Sequence, residues 1–283
     1  MDVLSDEPGR PDCPLPLLLN HKLLIAGGTV PGRVHVMKLL VLFFLAGMSL
    51  DIVAAEKPVH LFVLSGQSNM AGMKEKDGFL PEAGRLLPDA TVAHIKVASG
   101  GQPIRLWLTE WPVIATKAGV NPDPKRNGFL YEQILAQFNA MKKKHPGGFA
   151  SITFCWMQGE RDAKGGTAKA YETALKTLIT KLRKDLEAPK MAFVIGRLSD
   201  HSPGKTLQDD WDLVRAVQVK IADADPLGAW VDTDDCNNKE RNGKKLDDLH
   251  YTKDGYKLFG ERLARQAVRI IDGKKPDVKG RPE

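Results

Sequence analysis

From Glu56 onward, short apolar runs rich in Val, Ile and Phe alternate with segments of helical period, and this alternation restricts the fold more than any other feature. The strand candidates span 60–64, 91–97, 150–157, 192–198 and 229–232. Helix candidates lie between and after them, over 129–144, 167–186, 207–224 and 253–272. In the second, Ala170, Ala174, Leu175, Leu178 and Leu182 form one apolar stripe with lysines opposite. Strands that alternate with helices need crossover connections, which are right-handed, so an α/β fold with a mainly parallel five-stranded sheet covered on both faces is expected. The stretches 72–89 and 106–126 read as too irregular for either element, and are expected to be loops that shape a pocket beside the strand ends.

The composition of the 283 residues, 42% hydrophobic and 27% charged, excludes a wholly disordered chain and suits one large domain or two small ones. The net charge of +6 comes from lysines scattered along the helix candidates and near the C-terminus. No basic stripe is interleaved with aromatics, so nucleic acid is not an expected partner. Cys13, Cys155 and Cys236 form no C-x-x-C pair and have no metal-ligand spacing. Cys155 lies in the apolar run "ITFCWM" and reads as a small core residue, while its pairing with Cys236 is left open.

Residues 37–55, "MKLLVLFFLAGMSLDIVAA", have the parts of a secretory signal: a lysine beside a methionine, an apolar centre and small residues before Glu56. The apolar centre, Leu39 to Leu50, is twelve residues long. Spanning a bilayer takes about 20, so export to the periplasm or beyond is expected, with no lasting membrane insertion. Residues 1–36 show no such order and are expected to be an over-called extension ahead of a true start at Met37. The expected domain runs from 56 to 275, and 276–283 reads as a polar tail.

The chemistry is sought at strand ends, where open α/β sheets bind ligands. "VHLFVLSGQSNMAG" carries an apolar strand into Gly66-Gln67-Ser68-Asn69, placing Ser68 where the strand stops. A serine hydroxyl becomes nucleophilic only when a neighbouring base takes its proton and a third group orients that base. His60 and His94 fall inside strand candidates and His145 at a helix end among lysines, whereas His201 follows the fourth strand candidate at a sheet edge. His250 stands in "KKLDDLHYTKDGY", three residues after Asp247, so carboxylate and imidazole can face one side of a turn, with Thr252 available to cap the last helix. A bare D-x-x-H is also an ordinary surface turn. Donors for a developing oxyanion are offered by Gly100-Gly101 after the second strand candidate and by Gln158 after the third. Each signal is weak alone, but the C-terminal ends of parallel strands share one edge.

In this order, "GQSNM", "SGGQPIRLW", "WMQGERD" and "DDLHYTKDGYKLFGERLA" resemble the SGNH hydrolase superfamily, and within it carbohydrate esterase family six, the sialate O-acetylesterase and acetyl xylan esterase group. The resemblance spans about 57–270. It implies a flavodoxin-like three-layer α/β/α sandwich and a serine esterase without metal or organic cofactor. Carried over, Ser68 is the nucleophile, His250 the base and Asp247 its orienter. The oxyanion hole would combine the Ser68 N–H, a glycine N–H (Gly101 rather than Gly100) and the Gln158 amide, while Gln67, Asn69, Gln102, Arg105 and Trp107 are expected around the substrate. Trp107 and Trp111 suit a sugar platform and core packing equally well. Members of the family often read W-H-Q-G-E-S-D at the third block, where this chain has Met157 and Arg161, which bears on substrate preference.

The expected activity is removal of O-acetyl groups from carbohydrates. The alternatives are an SGNH lipase or thioesterase and a non-catalytic carbohydrate-binding protein of the same fold. An α/β-hydrolase is excluded because its elbow reads G-x-S-x-G and Met70 stands at the second glycine. Glu160 and Asp162 adjoin in one loop instead of facing each other across a bond, so they read as structural hydrogen-bond partners and not as a glycosidase pair.

Overall fold

The computed structural model describes residues 56–283, with Lys245 and Asp247 described through their backbone alone. The expected leader, 37–55, and the stretch 1–36 lie outside the described residues. Five strands, β1 (Val59–Gly66), β2 (Thr91–Ala98), β3 (Ser151–Met157), β4 (Ala192–Gly196) and β5 (Gly228–Val231), form one sheet in the order β2-β1-β3-β4-β5. Every neighbouring pair is parallel. Helices cover both faces, so central strands read as continuous apolar runs and not as alternating ones. In β3, every residue after Ser151 is buried, and β4 is buried throughout.

The helices are α1 (Ser68–Gly72), α2 (Phe79–Leu86), α3 (Trp111–Lys117), α4 (Phe129–Lys144), α5 (Glu160–Lys164), α6 (Ala168–Asp185), α7 (Lys205–Asp223) and α8 (Lys253–Ile271). Among them α2 packs against α8, and α6 against α7. From β1 the chain crosses to β2 on one side, and from β2 it returns past β1 to β3 on the other. That reversal opens the crevice in which doubly wound sheets bind ligands, above the C-terminal ends of β1 and β3.

The four expected long helices and five expected strands form within a few residues of the predicted bounds. Two stretches expected to be loops contain helices. In 72–89, α2 tolerates Pro81 because the first turn needs no N–H there, and its buried Phe79 and Ala83 lie on a helix packed against α8. In 106–126, a 3₁₀ turn (Ile104–Trp107) leads to α3, which carries its proline in the first turn. Tertiary burial, which a short sequence window does not reveal, stabilises both. A hairpin of β6 (Asn238–Arg241) and β7 (Lys244–Asp247) precedes α8. Its turn, Asn242-Gly243, has φ of 54° and 73°, the left-handed pair that an Asn-Gly hairpin favours.

The polar C-terminal segment is docked on the preceding fold. Asp277 and Gln266 exchange two hydrogen bonds of 2.9 Å, and the Asp232 N–H donates to the Gly280 carbonyl at 2.7 Å. Hydropathy misses this docking because it uses backbone groups and carboxylates, not apolar side chains. Cys155 and Cys236 are both buried free thiols.

Candidate active site

The first constraint on the site is how closely two strand ends approach. Gly66 closes β1 at φ 144°, and a Cβ there would lie 1.9 Å from the Met157 carbonyl oxygen at the end of β3. Only glycine fits, and the next N–H, that of Gln67, donates to the same oxygen at 2.8 Å. This contact stops the strand and starts α1, so Ser68 becomes the first helical residue, partly buried, with its N–H making no hydrogen bond among the described residues. Beyond β2, the Ser99 N–H donates to the Gly66 carbonyl at 3.1 Å. Gly100 then lies beside the serine: a Cβ on it would be 3.8 Å from the Ser68 Cβ. Gly101, at φ 67°, faces open space. Of the glycine pair, therefore, Gly100 is the one against Ser68.

Behind Ser68, buried polar side chains connect the strand ends. Gln67 Oε1 accepts from the Arg161 N–H at 3.1 Å. Asp162, fully buried, accepts from Gln158 Nε2 at 2.5 Å and from the Ile104 N–H at 2.9 Å, joining the β3 loop to the segment after Gly101. Burial raises its carboxyl above the ordinary range, against the pull of Gln158, Ile104 and Thr167. Gln158 Nε2 also donates to the Gln102 carbonyl at 3.1 Å. Both amide hydrogens are thereby engaged within the protein. The Gln158 backbone carbonyl accepts from the Tyr171 hydroxyl at 2.7 Å and from Gln218 Nε2 at 2.8 Å, which fixes the turn.

Asn69 carries the link to His250. Its Nδ2 donates to Glu160 Oε1 at 3.0 Å and to the Leu249 carbonyl at 3.1 Å, and its Oδ1 accepts from the Tyr256 hydroxyl at 3.2 Å. The residue after Ser68 is thus bonded to the residue before His250. Between the two candidates themselves, no hydrogen bond is present among the described residues. His250 is exposed, and its N–H donates to Asp248 Oδ1 at 2.9 Å, while Lys239 Nζ holds the other oxygen at 3.0 Å. Thr252 caps α8 as expected, accepting from the Gly255 N–H at 2.8 Å. The Asp247 side chain lies outside what the structure describes.

Several residues expected around the substrate are held elsewhere. Trp107 is fully buried, donates to Ser65 Oγ at 2.9 Å and packs edge-to-face on Trp156, so its ring belongs to the core. Trp111 is buried as well. The Arg105 guanidinium is bound to Asp123 at 2.8 Å and to the Lys125 carbonyl, pinning the loop ahead of α4. Gln67 and Asn69 are buried, and Gln102 Nε2 turns back to the Gly100 carbonyl at 3.0 Å. His201 stands edge-on to Trp211 at 5.3 Å, with Lys164 Nζ at 3.4 Å. Among the described residues, no group of three or more His, Cys, Asp or Glu side chains is placed to hold a metal.

Two contributors had no local signal. Tyr256 meets Asn69 across 187 positions of sequence, and Gln218 reaches Gln158 across 60. Glu160 and Asp162 are the buried structural partners that their adjacency suggested, although what they hold is set by distant segments.

A family model for carbohydrate esterases, the sialic acid-specific acetylesterases, matches residues 78–269. Among solved structures, a protein of Arabidopsis thaliana is similar at 20% identity and a TM-score of 0.52, over 75% of this chain and 98% of its own. A carbohydrate acetylesterase of Xanthomonas citri is similar at 19% identity and a TM-score of 0.52, over 77% of this chain and 57% of its own. At these identities the two share the fold with this chain. Comparison with curated proteins gave no match.

Proposed function

The chain belongs to the carbohydrate esterase family of sialic acid-specific acetylesterases, with the α/β fold of SGNH hydrolases, and from that premise we propose an exported serine esterase that removes O-acetyl groups from carbohydrates. The observation that carries the reading is the 3.1 Å bond from Asn69 Nδ2 to the Leu249 carbonyl, because it ties the turn bearing Ser68 to the loop bearing His250. In this reading His250 takes the Ser68 proton as Oγ attacks the acetyl carbonyl, and Asp247 steadies the imidazolium that forms. The sugar hydroxyl leaves with that proton, and water repeats the sequence on the acetyl-enzyme. The N–H groups of Ser68 and Gly100, unengaged among the described residues, are the donors for the oxyanion, with Gln158 fixing the loop behind them.

The experiment compares wild type with Ser68→Ala on p-nitrophenyl acetate, then on a panel of acetylated glycans with acetate release measured. Wild-type turnover that falls at least about 10³-fold in Ser68→Ala, at unchanged melting temperature, is expected. Equal activity in both proteins, or none in either, ends the reading. Acetyl esters are expected to be preferred over butyryl and longer chains; the reverse order points to a lipase.

A further inference from the structure

We propose that Glu160 is a positioning residue for the base: through Asn69 it holds the loop carrying His250 at the rim where Ser68 stands, an inference that rests on the esterase reading. Glu160 is 2% exposed and its Oε1 accepts from Asn69 Nδ2 at 3.0 Å. Among the described residues its other oxygen, Oε2, is buried without a hydrogen-bond partner. Such a group is costly to bury, so its retention calls for a reason.

The reason lies in the Asn69 amide. An amide has a donor side and an acceptor side, and here both N–H donors and the oxygen are engaged. The donor side faces Glu160 and the Leu249 carbonyl, and the acceptor side faces the Tyr256 hydroxyl. Glu160, whose Oε1 can only accept from the amide, selects this orientation. With an apolar residue at 160, Asn69 loses one of its two acceptors and is free to turn. If the amide turned over, its oxygen would oppose the Leu249 carbonyl, and the loop would be repelled where it is now held. Because His250 follows Leu249 directly, that movement is passed to the imidazole.

Burial also raises the Glu160 carboxyl to about 7, with Asn69 and Lys164 pulling it down and Asp162 pushing it up. Oε1 accepts from Asn69 whether or not Oε2 carries a proton, so the orienting role does not need the negative charge. This sets Glu160 apart from an electrostatic residue and predicts that glutamine replaces it.

The test is the rate at which a fluorophosphonate labels Ser68, a reaction that uses the base but needs no sugar binding. Wild type, Glu160→Gln, Glu160→Leu and Asn69→Ala are compared, with steady-state kinetics on p-nitrophenyl acetate. Glu160→Gln is expected to label within about 3-fold of wild type, and Glu160→Leu and Asn69→Ala at least about 30-fold slower, since small misplacements of a catalytic group cost up to about 10²-fold. The loss is expected in kcat with KM within about 2-fold, and the double variant is expected to be no slower than the slower single one. If Glu160→Leu does not fold, Asn69→Ala carries the same expectation. Labelling of Asn69→Ala or folded Glu160→Leu at the wild-type rate overturns the proposal alone, as does Glu160→Gln slowed as far as Glu160→Leu. Wild type that is not labelled overturns it together with the esterase reading.

Discussion

Gly66 and Met157 meet so closely that a single Cβ on the glycine would lie 1.9 Å from the methionine carbonyl oxygen. The turn that carries Ser68 therefore rests on a backbone contact between β1 and β3 that no side chain can share. Gly66→Ala is expected to destabilise the fold by about 3 kcal/mol or more, since overpacking against backbone is joined by an unfavourable φ. Gly101→Ala meets nothing within 4 Å, and only its φ of 67° opposes the change. It is expected to cost about 1–2 kcal/mol. Urea midpoints of the two variants, measured side by side, check the contrast.

Trp107 separates a core from a sugar platform. Its ring is fully buried and bonded to Ser65, so Trp107→Phe is expected to lose about 2 kcal/mol of stability, with KM for an acetylated glycan unchanged. A raised KM at constant melting temperature would return the ring to the substrate site.

The raised Glu160 carboxyl makes stability depend on pH. Between its ordinary 4.5 and about 7, the folded protein keeps a proton that the unfolded chain has released, so stability falls as pH rises through that interval. The full difference is about 3 kcal/mol above pH 7. The groups facing this carboxyl are Asp162 and Lys164 from α5, Tyr171 from α6, Tyr251 just ahead of α8 and Tyr256 in its first turn. Glu160→Gln is expected to lose less stability than wild type between pH 5 and pH 8. Urea unfolding at both pH values decides, and an equal loss in the two proteins would contradict the assignment.

Truncation after residue 275 tests the docked C-terminus. It removes the Gly280 carbonyl from Asp232 and the Asp277 backbone from Gln266, and is expected to cost on the order of 3 kcal/mol. Arg281→Ala is expected to cost less than about 1 kcal/mol, because the arginine is half exposed and its pairing with Asp232 is screened by water. Thermal unfolding of the two variants distinguishes backbone docking from the ion pair.

Periodicity alone was enough to place the five strands and four long helices, because each buries a continuous run or a stripe that recurs within a few residues. The chain order of Ser68, the Gly100 pair, Gln158 and His250 likewise marked which segments belong to the strand ends, since connections between parallel strands put those ends on one edge. Three-dimensional packing decided which of the side chains there are available. It withdrew Trp107, Arg105 and the Gln158 amide into buried or looped contacts, favoured Gly100 over Gly101 beside the serine, and joined Asn69 to Leu249 across 180 residues. Local sequence specifies which groups a segment carries. Which of those groups are already spent on hydrogen bonds depends on partners that only the folded chain brings within reach.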